Sequence, residues 1–462
     1  MAQGGAVGAV SFNGVLVIGL VAVAVPALCA LVPGLPVPGA VLEVVAGIIA
    51  GPSVLGWVHV DAAVQVLSDL GLGMLLFLAG LEIDVGRLRG SLGRVAGVAF
   101  AASAVLGLLC AYAFNLAGLG GEPLFLAIVL VSTSAGLLLP LLKDAHEEKT
   151  QFGQLVMTAA ALAEVIPILL LSLLFSAASK TSEQRAASLA IFLGLLGVIG
   201  LALARVRRLE GLERLLNQLD DQSAQLRVRA TLTLALGFGV LAYRFGFASI
   251  LGAFAAGLLV RMIDLEGHAP HPQFETKLQG IGFGFLIPIF FIATGVQFNL
   301  SALLGHPAAL AEVPLFLIAL LVVRGLPAGL YTRLVGRRRA AVAGLMQATT
   351  LTFVIVATQV GLATGHISAA TGGSLLAAGL LSATLFPPAA MRLLAGASPP
   401  AHSVAPTEAA GRTGRPATSA PSGSDQGRRP HVPWRAAAGL PARTWGRLTR
   451  SAAGLSRRNH PS

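Results

Sequence analysis

Thirteen stretches of this chain are long and apolar enough to cross a lipid bilayer, and nothing else limits its fold as much. A hydrocarbon core about 30 Å thick needs about 20 apolar residues per helix. The stretches lie near 14–32, 36–56, 66–86, 94–117, 123–142, 152–177, 184–204, 228–243, 246–263, 279–298, 309–332, 340–363 and 368–393. The eighth and ninth are short, and Arg244 between them divides that region into two spans. Only 11% of residues are charged, where a soluble domain carries about a quarter. The expected fold is an all-α membrane protein of about thirteen transmembrane helices.

The formal charge of +11 is uneven. Residues 395–462 hold ten arginines against Glu408 and Asp425, while 1–394 is nearly balanced. The basic excess therefore gives no argument for a nucleic-acid partner. The chain divides into a transmembrane domain, 1–394, and a basic tail, 395–462. The tail is rich in Pro, Ser, Gly and Arg and too poor in apolar residues to form a core. It reads as disordered, although Trp445, Leu448 and Leu455 among its arginines could rest on anionic lipid. It holds no GxGxxG, so no nucleotide-binding domain is expected there. Residues 207–226 read as an amphipathic connector. No Lys or Arg precedes the first apolar run, which reads as a retained span and not a cleaved leader.

Basic side chains concentrate on the cytoplasmic side of membrane proteins. Here they cluster at Arg87–Arg94, Arg205–Arg229, Arg333–Arg339 and the tail. Thirteen spans put all four clusters on one side, and twelve would split them. The N-terminus is then outside and the C-terminus cytoplasmic. The Ala/Gly/Arg-rich, Lys-poor composition points to a bacterium, hence to its plasma membrane.

Charges inside a membrane are costly and mark function. Glu164 sits in the middle of the sixth span and Arg324 in the middle of the eleventh, each about ten residues, or roughly 15 Å, from either surface. Both should face an aqueous cavity or each other. The fifth span carries Ser132, Thr133 and Ser134 at mid-depth, and the twelfth carries Gln347, Thr349, Thr350 and Thr352. Singly, such residues often just bond back to the helix or glue helices together. Pro167 denies a hydrogen bond to the Ala163 carbonyl and leaves it free to join a site or merely a kink.

Spans 4–6 (94–177) and 11–13 (309–393) are two trios, each with its polar break in the middle helix. The two enter the membrane from opposite sides. Inverted repeats with broken helices and a midplane site are the build of secondary transporters. One acid with several neutral oxygens suits a small hard cation.

The segments EVVAGIIAGPSVLG (43–56), GMLLFLAGLEID (73–84), ILGAFAAGLLV (250–260) and PIFFIATGV (288–296) resemble the monovalent cation:proton antiporter superfamily. The branch is the one with bacterial sodium/proton antiporters and potassium efflux systems, and the resemblance covers roughly 14–393. It implies a thirteen-helix fold in which two broken helices, here spans 5 and 12, cross. It implies a homodimer set in lipid. It also implies an ion- and proton-binding carboxylate on span 6, matched by Glu164, and a core base, matched by Arg324. The residue before the carboxylate is usually polar or acidic; here it is Ala163, a departure that favours one-for-one, electroneutral exchange.

The expected ion-binding set is therefore Glu164, as the cation ligand, with Ser132, Thr133, Ser134, Ala163, Thr349 and Thr350. Arg324 is its charge partner, and Glu43 a candidate for the ion funnel. Glu82 and Asp84, at a helix end, read as solvated or Arg-paired. GIIAG (47–51) has the spacing of a tight helix contact, within or between protomers. No enzyme motif is present and no cofactor is expected beyond the transported ions. The leading expectation is exchange of a monovalent cation, Na⁺ ahead of K⁺, for protons by alternating access. The alternatives are a potassium efflux protein of the same fold and, given Ala163, a transport-inactive sensor or scaffold.

Overall fold

Helix is the only regular structure among the described residues of the computed structural model, which are 12–31, 37–83, 90–175, 182–207, 226–265 and 272–395. The tail beyond Ala395, the connector 208–225, Asp84, Arg87 and Arg89 lie outside them.

Each predicted span corresponds to a helix or a helix pair. Asn13–Leu31, Gly39–Ala50, Ala62–Glu82 and Ser91–Leu116 come first. The first broken helix is Pro123–Leu130 followed by Ala135–Asp144. Gln151–Leu174, Ser182–Arg207, Leu226–Arg244 and Ser249–Leu265 follow. The tenth span, Pro272–Gln297, contains a π-helical turn at Gly282–Leu286. The eleventh starts as Pro307–Leu320, widens to a π-turn at Leu321–Gly325 and tightens to a 3₁₀ turn at Leu326–Tyr331. The second broken helix comprises Thr332–Gln347, bent at Gly336, and Thr352–Thr364. Ala369–Ala395 closes the series. At Gly336 φ is 82°, a left-handed conformation that glycine adopts without steric cost.

By length and hydropathy alone, eight segments of the described residues can cross a membrane. The difference from thirteen has physical causes. Pro307–Thr364 is one 58-residue run holding two passes, and three apolar helices are short. Leu226–Arg244 opens on Arg227 and Arg229, which lower its mean hydropathy.

The four recognisable segments prove to be two helix pairs. A Cβ on Gly47 would overlap the Ile292 carbonyl oxygen, and one on Gly295 the Val44 carbonyl oxygen. The GIIAG contact is thus made within one chain. In the same way a Cβ on Gly80 would overlap the Phe254 carbonyl oxygen, and one on Gly257 that of Phe77. Bare backbones meet at both crossings, as close helix packing in lipid requires. Gly257→Ala should therefore lower stability by on the order of 2 kcal/mol through overpacking. Gly280→Ala, where a Cβ meets nothing within 4 Å, should be neutral or mildly stabilising through helix propensity. Thermal unfolding of the two variants beside the wild type checks the contrast.

The helix ends near the basic residues share one end of the bundle. Arg338 Nε donates to the Leu393 carbonyl at 2.9 Å, Arg339 pairs with Glu147 at 2.7 Å, and Arg227 lies 4.8 Å over the Phe274 ring. At the opposite end, His366 Nδ1 meets Glu122 Oε2 at 2.5 Å and joins the outer turns of the two broken helices.

Candidate ion site

The two helix breaks meet each other. Val131–Ser134 interrupts the first broken helix and Ala348–Leu351 the second. Short hydroxyl side chains compete for backbone partners, and here they take them across the crossing. The Ser134 amide donates to the Thr349 carbonyl at 3.1 Å. Ser134 Oγ accepts from the amides of Leu351 (2.9 Å) and Thr352 (3.1 Å), so a residue of one broken helix caps the half-helix of the other. That satisfies amides which a helix start leaves without intrahelical partners. Ser132 Oγ and Thr350 Oγ1 lie 3.0 Å apart, and Thr133 Oγ1 donates to the Gln347 carbonyl at 2.5 Å. Ser382, on the last helix, accepts from the Thr350 amide at 3.1 Å.

Glu164 lies on Gln151–Leu174, which Thr150 caps by accepting from the Gly153 amide at 3.1 Å. Pro167 lacks the N–H that the Ala163 carbonyl would otherwise receive. That carbonyl instead accepts the Thr133 amide at 3.2 Å and ties the first break to the Glu164 helix. Glu164 is only 5% exposed, yet it lines a cavity of about 310 Å³. Its carboxylate lies close to the Ala135 amide, the first N–H of the half-helix Ala135–Asp144. A helix N-terminus favours an anion there.

The same cavity reaches Glu82, Lys149, Arg261 and Glu275 at the basic ends of four helices. Glu82 and Glu164 line this cavity together with two further carboxylates, Glu148 and Glu275. A second cavity of about 830 Å³ is lined by Glu43, Glu82, Gly136, Lys143, Asp144 and Thr352, among others. Glu82 thus lines both cavities, and Arg261 lines the smaller one with it. Glu43 is 9% exposed and opens onto the larger one.

Arg324 departs from the expected arrangement. It is 2% exposed and faces neither Glu164 nor either of these cavities. Neutral oxygens hold it. Nε donates to Thr133 Oγ1 at 3.0 Å, Nη1 to Ser103 Oγ at 3.1 Å and Nη2 to Gln347 Oε1 at 3.0 Å. Gln347 Nε2 donates in turn to the Tyr331 hydroxyl at 3.3 Å. The Phe100 ring lies 5.9 Å from the guanidinium. The π-turn carrying Arg324 puts an extra residue into the helix, a distortion common at functional positions.

Of the residues singled out from the sequence, Ser132, Thr133, Ser134, Thr349 and Thr350 are buried together at the crossing. None lines either cavity beside Glu164 or Glu43. Their polar groups brace the crossing, and Glu164 is the group that meets open space. Ala163 is fully buried. Four residues were not foreseen: Ser103 and Tyr331 in the Arg324 network, Ser382 behind Thr350, and Thr158 on the cavity wall. For the wall a signal existed, since Met157, Ala161 and Glu164 follow i, i+4, i+7 spacing and share one helix face. Among the described residues no group of three or more His, Cys, Asp or Glu could hold a metal ion.

Known proteins carry the same architecture. The sodium proton antiporter MjNhaP1 of Methanocaldococcus jannaschii superposes with a TM-score of 0.55 over 82% of this chain and 98% of its own, at 14% identity. The chain therefore has a sodium/proton antiporter-like fold and crosses the membrane many times. A Bacillus subtilis protein, YjbQ, whose name assigns it Na⁺/H⁺ antiport, is 30% identical across 78% of this chain. The match spans 59% of YjbQ's own length. The Na⁺/H⁺ antiporter of Enterococcus hirae is 26% identical over 65% of this chain and 74% of its own. The Na⁺/H⁺-K⁺ antiporter GerN of Bacillus cereus is 25% identical over 58% and 67% respectively. These relatives are transporters and not enzymes. The family model described as sodium/hydrogen exchanger, transmembrane, matches residues 19–394, and the chain belongs to that family.

Proposed function

We propose that this protein exchanges a monovalent cation for protons across a bacterial plasma membrane by alternating access. The observation that carries the reading is Glu164, a buried mid-membrane carboxylate on the wall of a cavity that reaches the basic helix ends. One carboxylate balances one positive charge at a time. A cation entering the cavity displaces the proton, and a proton displaces the cation. The half-helix N-terminus at Ala135 holds the anionic form in place. Exposure of the same group to the other side completes the cycle.

The exchange is one for one and electroneutral in this reading. Ala163 brings no second acid beside Glu164. Arg324 keeps its charge throughout, since a guanidinium does not deprotonate in proteins. Sodium is the first candidate cation because the relatives' names specify it, and GerN's name keeps potassium in view. The basic end of the bundle faces the cytoplasm, so the cavity at Glu164 is the inward-facing one. Glu43 and Glu82 line the path by which cations approach. The working unit is a homodimer in lipid.

The test is purified protein in liposomes loaded with a pH dye. External Na⁺, K⁺ and Li⁺ are added in turn with the membrane potential clamped or free. The expected result is internal alkalinisation driven by Na⁺ at a rate insensitive to potential. A rate that follows the potential keeps exchange and overturns the one-for-one stoichiometry. No response to any of the three cations overturns exchange and leaves a sensor or scaffold.

A further inference from the structure

A third cavity, of about 510 Å³, lies apart from Glu164 and Glu43. Three helices form it. Val165 and Leu169 come from the Glu164 helix, Leu193 to Arg205 from Ser182–Arg207, and Leu251 to Met262 from Ser249–Leu265. Every lining side chain is apolar except Arg205, which is exposed. Arg205 and Met262 mark the end of the groove nearest the bundle's basic end.

The length of the groove and its charge suit one occupant. From Leu193 to Arg205 is twelve residues, about 18 Å along the helix. One leaflet of a 30 Å hydrocarbon core is about 15 Å deep. An extended polymethylene chain spans that depth, and Arg205, the one charged lining residue, sits where an anionic headgroup would lie. Two glycines give the groove its shape. A Cβ on Gly200 would overlap Leu259 Cδ1, so the walls touch there. A Cβ on Gly197 meets nothing within 4 Å, so the groove stays open beside it.

We propose that this groove is a binding site for one acyl chain of an anionic phospholipid from the leaflet at the basic end, with the lipid phosphate on Arg205. The chain lies against Val165 and Leu169 and fills the seam between the Glu164 helix and Ser249–Leu265. The inference does not depend on which ion is moved.

Native mass spectrometry of the purified full-length protein tests it. The protein is delipidated and then offered phosphatidylglycerol or phosphatidylcholine. The wild type should retain one phosphatidylglycerol per chain in preference to phosphatidylcholine. Arg205→Gln should weaken phosphatidylglycerol binding about fivefold, the loss expected for one basic contact at a lipid surface, and so abolish the preference. Gly197→Phe, which fills the groove from its open side, should lose the retained lipid of either headgroup. Gly197→Leu gives the same reading with a smaller side chain should the Phe variant fold poorly. Unchanged lipid stoichiometry in both Gly197 variants overturns the proposal, as does a wild type with no headgroup preference. A third result also overturns it: Gly197 variants that split a dimer while keeping their lipid, which would assign the groove to a second copy of this chain.

Discussion

Glu164→Gln abolishes cation-driven proton movement and leaves the fold in place. The amide has nearly the shape of the carboxylate, and its carbonyl oxygen can take the carboxylate's place near the Ala135 amide. What it cannot do is bind and release a proton or neutralise a cation. Positioned proton-transfer groups contribute about 10²–10⁴-fold in rate, and here the same group is also the cation's counter-charge. Exchange should fall at least about 100-fold on that scale, to the rate of empty liposomes, while thermal unfolding stays near that of the wild type. Glu164→Asp shortens the side chain by one methylene. It should keep exchange but need more cation for half-maximal rate, because the carboxylate is drawn back toward its own helix. A Gln variant that still exchanges at more than a tenth of the wild-type rate would remove Glu164 from the cycle and send the search to Glu82, which lines the same cavity.

The spans were readable because bilayer thickness fixes the length of an apolar run, and that constraint is one-dimensional. The two breaks were readable for a similar reason. Ser132–Ser134 and Thr349–Thr350 are hydroxyl clusters inside apolar runs, and Glu164 and Arg324 are lone charges in the same setting. What the sequence could not give was helix rotation. Arg324 was expected to face a cavity or Glu164, and it is held by Ser103, Thr133 and Gln347 on three other segments. Which side chains meet across helices depends on packing angles that no single helix encodes.

The motif segments were informative in a different way. They carry the resemblance to the family, yet their glycines mark two close backbone crossings, Gly47 with Gly295 and Gly80 with Gly257. Of the motif acids, Glu43 and Glu82 line the cavities, while Asp84 lies outside the described residues. The Arg324 network shares no residue with these segments.

Arg324→Lys should destabilise the protein by about 3–4 kcal/mol even though it keeps the charge, because hydrogen bonds to a charged donor contribute about 1.5–3 kcal/mol each. The guanidinium reaches three acceptors at once, on Ser91–Leu116, on the first break and at the end of Thr332–Gln347. A planar fork with donors in fixed directions can do this, and an ammonium on a flexible stem cannot. A lysine keeps one of the three partners and leaves two buried oxygens short of a donor. If the network is a brace for the crossing, its parts act together. Gln347→Leu should then cost less in the Arg324→Lys background than in the wild type, by about 1 kcal/mol or more in a double-mutant cycle. Arg338→Lys, on an exposed side chain, should unfold like the wild type. The same lysine variant separates bracing from charge movement. Lysine can deprotonate when buried, as arginine does not, so exchange that turns potential-dependent in Arg324→Lys would make the base a participant in the cycle. The expected result is the opposite: a less stable protein whose residual exchange is still indifferent to potential. In that outcome the arginine holds the two half-helices in register for Glu164, and the single carboxylate sets the stoichiometry alone.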